Sequence, residues 1–185
     1  MMNKGTESDE GLMLRVVRGQ RECLSPLIRR HASGLLTYIQ RMIGDRHRSE
    51  ELFQEVFLAV WSKRGQYKFP RPFRAWLFGI ATNRCRSEFR KARPETYSFA
   101  DGQPLLAIAA DPSPLDTAIA TETSAIVAHA VASLPPKQRS VIVLRVWNSL
   151  SYAEIGRVLQ CSETTARSHM HHGLAGVRRY LEPRL

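Results

Sequence analysis

Three cysteines in 185 residues, Cys23, Cys85 and Cys161, are too few and too scattered for a disulfide framework. They form no CxxC pair and no Cys/His cluster, so no zinc finger is expected and they read as free thiols. No apolar run approaches the ~20 residues needed to cross a bilayer. The opening stretch carries Glu7, Asp9 and Glu10 where a secretory leader would carry its apolar core, so a cytoplasmic location and no membrane insertion are expected. Strict apolar/polar alternation is missing from residues 11–93, which argues against half-buried strands there. Also missing is any Ser/His/Asp set, paired-carboxylate site or glycine-rich phosphate loop, so neither an enzyme nor a bound cofactor is expected. One further gap is local: residues 94–130 contain no Lys or Arg at all.

What is present elsewhere is positive charge. The chain has 27 Lys+Arg against 17 Asp+Glu, a net charge of +10, on a globular composition of 43% hydrophobic and 24% charged residues. Residues 11–93 hold eighteen bases and six acids, residues 94–130 five acids alone, and residues 131–185 eight bases and three acids. Two basic blocks thus flank an acidic stretch that contains Pro94, Pro104, Pro112 and Pro114. This pattern predicts a disordered N-terminus over 1–10, a domain over 11–93, a flexible linker over 94–113 and a second domain over 114–182. Clustered Lys and Arg are the footprint of a polyanion binder, since each neutralised phosphate releases condensed counterions.

Apolar spacing in residues 11–93 is helical throughout and predicts an all-α bundle. Leu35, Leu36, Ile39, Met42 and Ile43 end at Gly44, a cheap left-handed C′ residue, and Asp45 can cap the next helix. There Leu52, Phe53, Val56, Phe57, Val60 and Trp61 form a broad core face. Glu51, Gln54, Glu55 and Leu58 follow i, i+3, i+4, i+7 on the other side, an acidic stripe in a basic domain. It is either an ordinary solvated face or a docking surface for a protein with basic residues, and spacing alone leaves the two even. Farther on, Phe73, Trp76, Leu77 and Ile80 predict a core face, with Phe78 and Phe89 elsewhere on that helix. Its far half, Asn83, Arg84, Arg86, Arg90, Lys91 and Arg93, concentrates like charges that an anionic partner would relieve. Aromatic rings among guanidinium groups suit single-stranded nucleic acid, on which bases stack while cations follow the backbone.

In the second domain a helix is predicted from Ser113–Pro114 to about Ser133, broken by Leu134-Pro135-Pro136. Ser151 and Glu154 form a capping box, a short helix and three-residue turn follow, and Ser162 caps a longer helix with Ala166, Met170, Leu174 and Val177 inward. This is the helix-turn-helix pattern. Glu163, Thr164, Arg167, Ser168 and His171 are then placed to meet base edges, and Arg139, Arg145, His172, Arg178 and Arg179 to meet phosphates. His169 and His172 share a face, yet no carboxylate or thiol follows at ligand spacing, so no metal is expected.

These residues resemble the RNA polymerase sigma factors of the extracytoplasmic-function group, in the sigma-70 family. The resemblance runs through Ser49-Glu-Glu-Leu-Phe-Gln-Glu-Val-Phe-Leu-Ala-Val-Trp61, then Phe73-Arg-Ala-Trp-Leu-Phe-Gly-Ile-Ala-Thr-Asn83 with Arg90. It continues through Leu134-Pro-Pro-Lys-Gln-Arg139, Ser151-Tyr-Ala-Glu-Ile-Gly156 and Ser162-Glu-Thr-Thr-Ala-Arg-Ser168. It implies two small helical domains, region 2 and region 4, and a dissociable subunit that directs core RNA polymerase to promoters and helps melt them. Glu51, Gln54, Glu55 and Leu58 would grip the clamp of the largest polymerase subunit, which decides the tie towards docking. The loop from Lys68 to Arg71 would capture a flipped base, and Asn83, Arg84 and Arg90 would hold the melted −10 strand. Glu163, Thr164, Arg167, Ser168, His171 and His172 would read the −35 duplex. The flap of the second-largest subunit and an anti-sigma factor are further implied partners.

The chain departs from the family pattern at Gly156, where Ala is usual and where glycine should soften the helix by up to ~1 kcal/mol. His169 and His172 stand where Arg is common, so phosphate contacts there would strengthen on protonation. A free-standing helix-turn-helix regulator is the alternative, but it would have no use for a melting helix or an acidic docking stripe.

Overall fold

A computed structural model describes residues 7–91 and 120–183, with side chains of the second stretch described from residue 125. Among the described residues there are eight helices and no strand: α1 (Asp9–Val17), α2 (Leu24–Ile43), α3 (Arg46–Ser62), α4 (Phe73–Lys91), α5 (Ala120–Ala132), α6 (Pro136–Val146), α7 (Tyr152–Leu159) and α8 (Glu163–Leu181). Short 3-10 turns lie at Arg21–Cys23 and Arg64–Gln66. The expected all-α architecture with two helical parts is what the chain adopts. Residues 94–113, expected as linker, and the start of the helix expected from Ser113 lie outside the described residues.

Local chemistry sets most helix ends. Ser8 accepts the Gly11 amide at 3.1 Å and caps α1, so the segment expected to be disordered up to residue 10 is already ordered at Ser8, with Asp9 and Glu10 inside the helix. Asp9 reaches across to Arg30 at 2.7 Å and His31 at 2.6 Å, and Glu10 accepts the Phe73 amide at 3.0 Å. Those ties to α2 and α4 supply the order that a polar N-terminus lacks on its own. Gly44 ends α2 at φ 85°, and Asp45 accepts the Arg48 amide at 2.6 Å to start α3. Pro136 opens α6, where a missing amide proton is harmless.

The N-terminal bundle packs α2, α3 and α4 around Leu35, Tyr38, Ile39, Leu52, Val56, Phe73, Leu77 and Phe78, all buried. Phe78 corrects the expected face of α4: its ring meets Tyr38 edge-on at 5.5 Å, while Trp76 and Ile80, expected inside, are half-buried. The helix is covered on more sides than one apolar stripe can report, because α1, α2, α3 and α7 all lie against it. In the C-terminal domain Val141, Ile142, Val143, Leu144, Leu150 and Ile155 are buried, and α8 covers them with Ala166 and Gly173. Leu174, expected inward, is 50% exposed, because Gly173 takes the inward position and lets α8 approach Ile142.

The two halves touch extensively. Arg139 of α6, expected at a phosphate, is instead buried; it donates to the Met42 carbonyl of α2 at 2.9 Å and to the Leu134 and Ala132 carbonyls. Three carbonyls at one buried point need a fixed multiple donor, and guanidinium supplies it. Burial pulls Arg139 down to about 10. Tyr38 lies 2.8 Å from Thr82 and donates towards Ser140 of α6 at 3.4 Å.

Candidate nucleic-acid interface

The acidic stripe stands on the open side of α3. Gln54 and Leu58 are exposed, Leu58 at 68%, while Leu52, Val56 and Val60 are buried on the other side. Its carboxylates are already engaged. Arg48 reaches Glu51 at 2.6 Å, Glu55 at 3.1 Å and, from α3 to α4, Glu88 at 2.7 Å; Arg84 reaches Glu55 at 3.3 Å. The hydrogen bonds from Arg48 hold the Glu88 carboxyl down at about 2, and Lys91 adds to this. The stripe is thus less negative than its sequence, with Gln54 and Leu58 its uncharged, outward members. Arg48 and Glu88 had drawn no expectation; the signal for Arg48 was its place three residues before Glu51 and seven before Glu55, on one face of the helix.

The same network ends on the basic half of α4. Asn83, Arg84 and Arg90 are exposed, and Arg84 joins this surface to the stripe through Glu55. At the other end of α4 the loop carrying Lys68 and Arg71 is braced by Tyr67, whose hydroxyl donates to the Arg71 carbonyl, and by an Arg71 amide to Lys68 carbonyl bond at 2.9 Å. Tyr67 is buried between Phe73 and Trp76, with ring centroids 6.4 and 5.3 Å away. Burial, then Glu10 and Asp9 nearby, push its hydroxyl up to about 12, so it stays protonated and able to donate. Trp76 accordingly packs its half-buried ring against the edge of the core. Phe69 is different: 54% exposed, it holds an apolar ring in solvent between Lys68 and Pro70 and Arg71. Its spacing in the sequence carries no signal that sets it apart from the core aromatics.

The helix-turn-helix is built as its caps dictate. Glu154 accepts the Ser151 amide at 2.8 Å and Ser151 accepts the Glu154 amide at 3.2 Å, closing the capping box of α7. Ser162 accepts the Thr165 amide at 3.0 Å and starts α8. Between them Gln160 turns the chain at φ 57°, and a Cβ on Gly156 would lie 2.7 Å from the Cys161 carbonyl oxygen. The glycine is therefore a close-approach residue. Glu163, Thr164, Arg167, Ser168, His171 and His172 are all exposed along α8. Arg167 is held from two sides, by Glu163 at 2.5 Å and by the Tyr152 ring at 4.5 Å, and Arg145 stands 5.0 Å from that same ring. Tyr152 is thus the support for two cations, a role that had drawn no expectation. His169 is half-buried, and burial, then Lys137 and His172, hold its pKa below the usual value, so its protonation requires a lower pH than a free imidazole. No cluster of potential metal ligands occurs among the described residues.

Two family models match the chain. Residues 27–95 match the family described as sigma-70 region 2, and residues 124–175 match sigma-70 region 4. The chain is 28% identical to an extracytoplasmic-function sigma factor of Bacillus subtilis, SigW, over 90% of this chain and 92% of that protein. It is 36% identical to SigE of Mycolicibacterium smegmatis over 84% of this chain and 60% of that protein. In fold it resembles CnrH, solved with the cytosolic domain of CnrY, at a TM-score of 0.73 and 23% identity, covering 95% of this chain and 97% of CnrH. The sigma factor RpoE of Bartonella quintana, solved with the anti-sigma factor NepR, gives 0.67 at 18% identity, over 86% and 96% of the two chains.

Proposed function

The chain belongs to the extracytoplasmic-function group of sigma-70 family sigma factors, and from that premise we propose how its surfaces divide the work of transcription initiation. Gln54 and Leu58, flanked by Glu51 and Glu55, dock a basic helical surface of the largest subunit of core RNA polymerase. The exposed apolar side chain supplies contact area and the carboxylates supply orientation. Asn83, Arg84 and Arg90 then follow the backbone of the melted −10 strand. A base leaving the duplex forfeits a few kcal/mol of stacking and pairing, which a ring in solvent can offset. Phe69, between Lys68 and Arg71, is that ring. In region 4, Glu163, Thr164, Arg167, Ser168, His171 and His172 present α8 to the −35 major groove, with Arg167 preset by Glu163 and Tyr152. The same region meets the flap of the second-largest subunit. An anti-sigma factor is a further partner, as NepR is for the similar RpoE of Bartonella quintana. The chain acts without a catalytic centre of its own, in the cytoplasm.

The observation that carries this reading is the coexistence of an exposed recognition helix with an exposed basic face on α4, beside an acidic, Leu-bearing stripe on α3. A duplex-only regulator needs the first alone. Run-off transcription with bacterial core RNA polymerase on a genomic fragment library, with and without the chain, tests it. Discrete start sites that appear only with the chain are expected. No new transcript, together with tight duplex binding by the chain alone, would replace this reading with that of a free-standing regulator.

A further inference from the structure

A group of cations that none of the surfaces above employs lies around Trp61, at the end of α3. Trp61 belongs by spacing to the core face of that helix, yet its ring is half-buried and carries two guanidinium groups, Arg64 at 4.2 Å and Arg21 at 6.0 Å from the ring centre. Arg64 donates to the Trp61 carbonyl at 2.9 Å, which uses one of its N–H groups and leaves the others. Arg18 and Lys63, both exposed, stand three residues before Arg21 and one before Arg64. Among the described residues no carboxylate pairs with any of these cations, although Glu22 sits beside Arg21 in the same 3-10 turn. An ionised acid would fix such side chains and cancel their charge. An indole fixes them and leaves the charge in place.

Helix dipoles account for part of the set. Lys63 stands at the C-terminus of α3 and Arg18 at that of α1, where a cation is favourable. Arg21 has no such reason: it lies three residues before Leu24 opens α2, and the N-terminal end of a helix disfavours positive charge. Like charges gathered on one ring repel, and an anion relieves them. Their place in the chain indicates which anion. Arg64 is five residues from Phe69, at most ~18 Å of extended backbone, and the turn Arg64–Gln66 runs directly into the braced loop that carries Lys68 and Arg71. On its other side that loop leads into α4, whose far half bears Asn83, Arg84 and Arg90. We propose that Trp61 supports a second phosphate-binding patch, in which Arg21 and Arg64, with Arg18 and Lys63 beside them, hold the backbone of single-stranded DNA continuing past the base captured at Phe69. This rests on the sigma-factor reading and lengthens its melted-strand track. A single strand can follow a turn of this size; duplex, stiff over roughly 150 base pairs, cannot bend around one loop.

Salt dependence separates a phosphate contact from a structural one. A fluorescent oligothymidylate of about 20 nucleotides, and a duplex of the same length, are titrated with the full chain by anisotropy over a series of salt concentrations. Each phosphate contact adds about 0.7 to the slope of log affinity against log salt on a single strand, so Arg21→Gln with Arg64→Gln should lower that slope by about 1.4 and leave the duplex slope as it was. Trp61→Leu keeps both charges, so its slope should stay, while its affinity for the single strand falls about two- to fivefold, the worth of a ring beneath an exposed cation; Trp61→Tyr should restore it. An unchanged single-strand slope in the arginine double variant overturns the proposal and leaves these cations to the helix ends. An equal fall in slope on the duplex assigns the patch to duplex phosphates and overturns it as well. So does loss of poly-glutamate binding with oligothymidylate binding intact, which would make the partner an acidic polypeptide. Should Trp61→Leu lose its helical circular dichroism, the arginine pair, whose side chains lie outside the core, decides alone. These titrations need no polymerase, so failure of the sigma-factor reading shows separately, as no transcription from the wild-type chain with core enzyme.

Discussion

Among single residues, Phe69 offers the sharpest test, because an aromatic ring left 54% exposed on a braced loop has no packing duty to confuse the result. Phe69→Ala should weaken binding of the melted −10 strand by ~1–3 kcal/mol and leave −35 duplex binding unchanged. Fluorescence anisotropy with single-stranded and duplex probes on the holoenzyme reads both; an equal loss on the two probes would deny the ring a stacking role. Arg48 invites a test by pH. The folded-state pKa of Glu88 is about 2 against an ordinary 4.5, so its pairing with Arg48 stabilises the fold fully above about pH 4.5, and that contribution fades as pH falls towards 2. Arg48→Met should therefore lower the urea midpoint at pH 7, and its deficit against wild type should shrink between pH 4.5 and pH 2. A deficit that stays constant across that window would assign the loss to packing of the Arg48 stem. Arg139 marks what this scale hides. A cation that satisfies three buried carbonyls and a cation that meets a phosphate are the same letter in a sequence, and only the partner's position separates them.

At the scale of elements, the helix-turn-helix was legible because its signals are local: Ser151 with Glu154, and Ser162, act within four residues of themselves. The acidic stripe on α3 was legible for the same reason, as a spacing on one helix. The face of α4 was not, since Phe78 is buried by helices whose contacts no single-helix period encodes. Gly156 shows the two kinds of information in opposition. From propensity alone it reads as a soft spot that alanine would firm up by up to ~1 kcal/mol. In the fold the turn backbone lies where the new methyl group would go, 2.7 Å from the Cys161 oxygen, and a carbonyl cannot rotate aside as a side chain can. Gly156→Ala should thus lower region 4 stability by ~1–3 kcal/mol, the scale of overpacking, less whatever propensity returns. Chemical denaturation followed by circular dichroism checks the sign; a stabilised variant would mean that the turn moves away at little cost.

Across the whole molecule, two regions were legible from the charge map and from the gap in Lys and Arg, but their packing together was not. The contacts that join them pair residues about a hundred positions apart, such as Arg139 with Met42 and Tyr38 with Ser140, through polar groups that leave no apolar periodicity behind. That packing has a thermodynamic consequence. The buried apolar residues of both regions form one continuous cluster, from Leu12 to Ala166, so neither region can unfold without exposing surface on the other. The wild-type chain should then melt in a single transition, with a van't Hoff enthalpy equal to the calorimetric one, about 100 kcal/mol near 60 °C for roughly 150 ordered residues. Gly34 of α2 faces Asn148 across the contact, where a Cβ would lie 2.7 Å from the Asn148 Oδ1, so Gly34→Leu should pry the regions apart and give two transitions, each with a smaller van't Hoff enthalpy and with a lower total heat than the wild type. If the wild type already shows a van't Hoff enthalpy near half the calorimetric value, the regions melt independently and their interface is too weak to couple them. If wild type and Gly34→Leu melt identically in one transition, α2 absorbs the leucine without yielding, and the cooperativity comes from contacts other than Gly34 with Asn148.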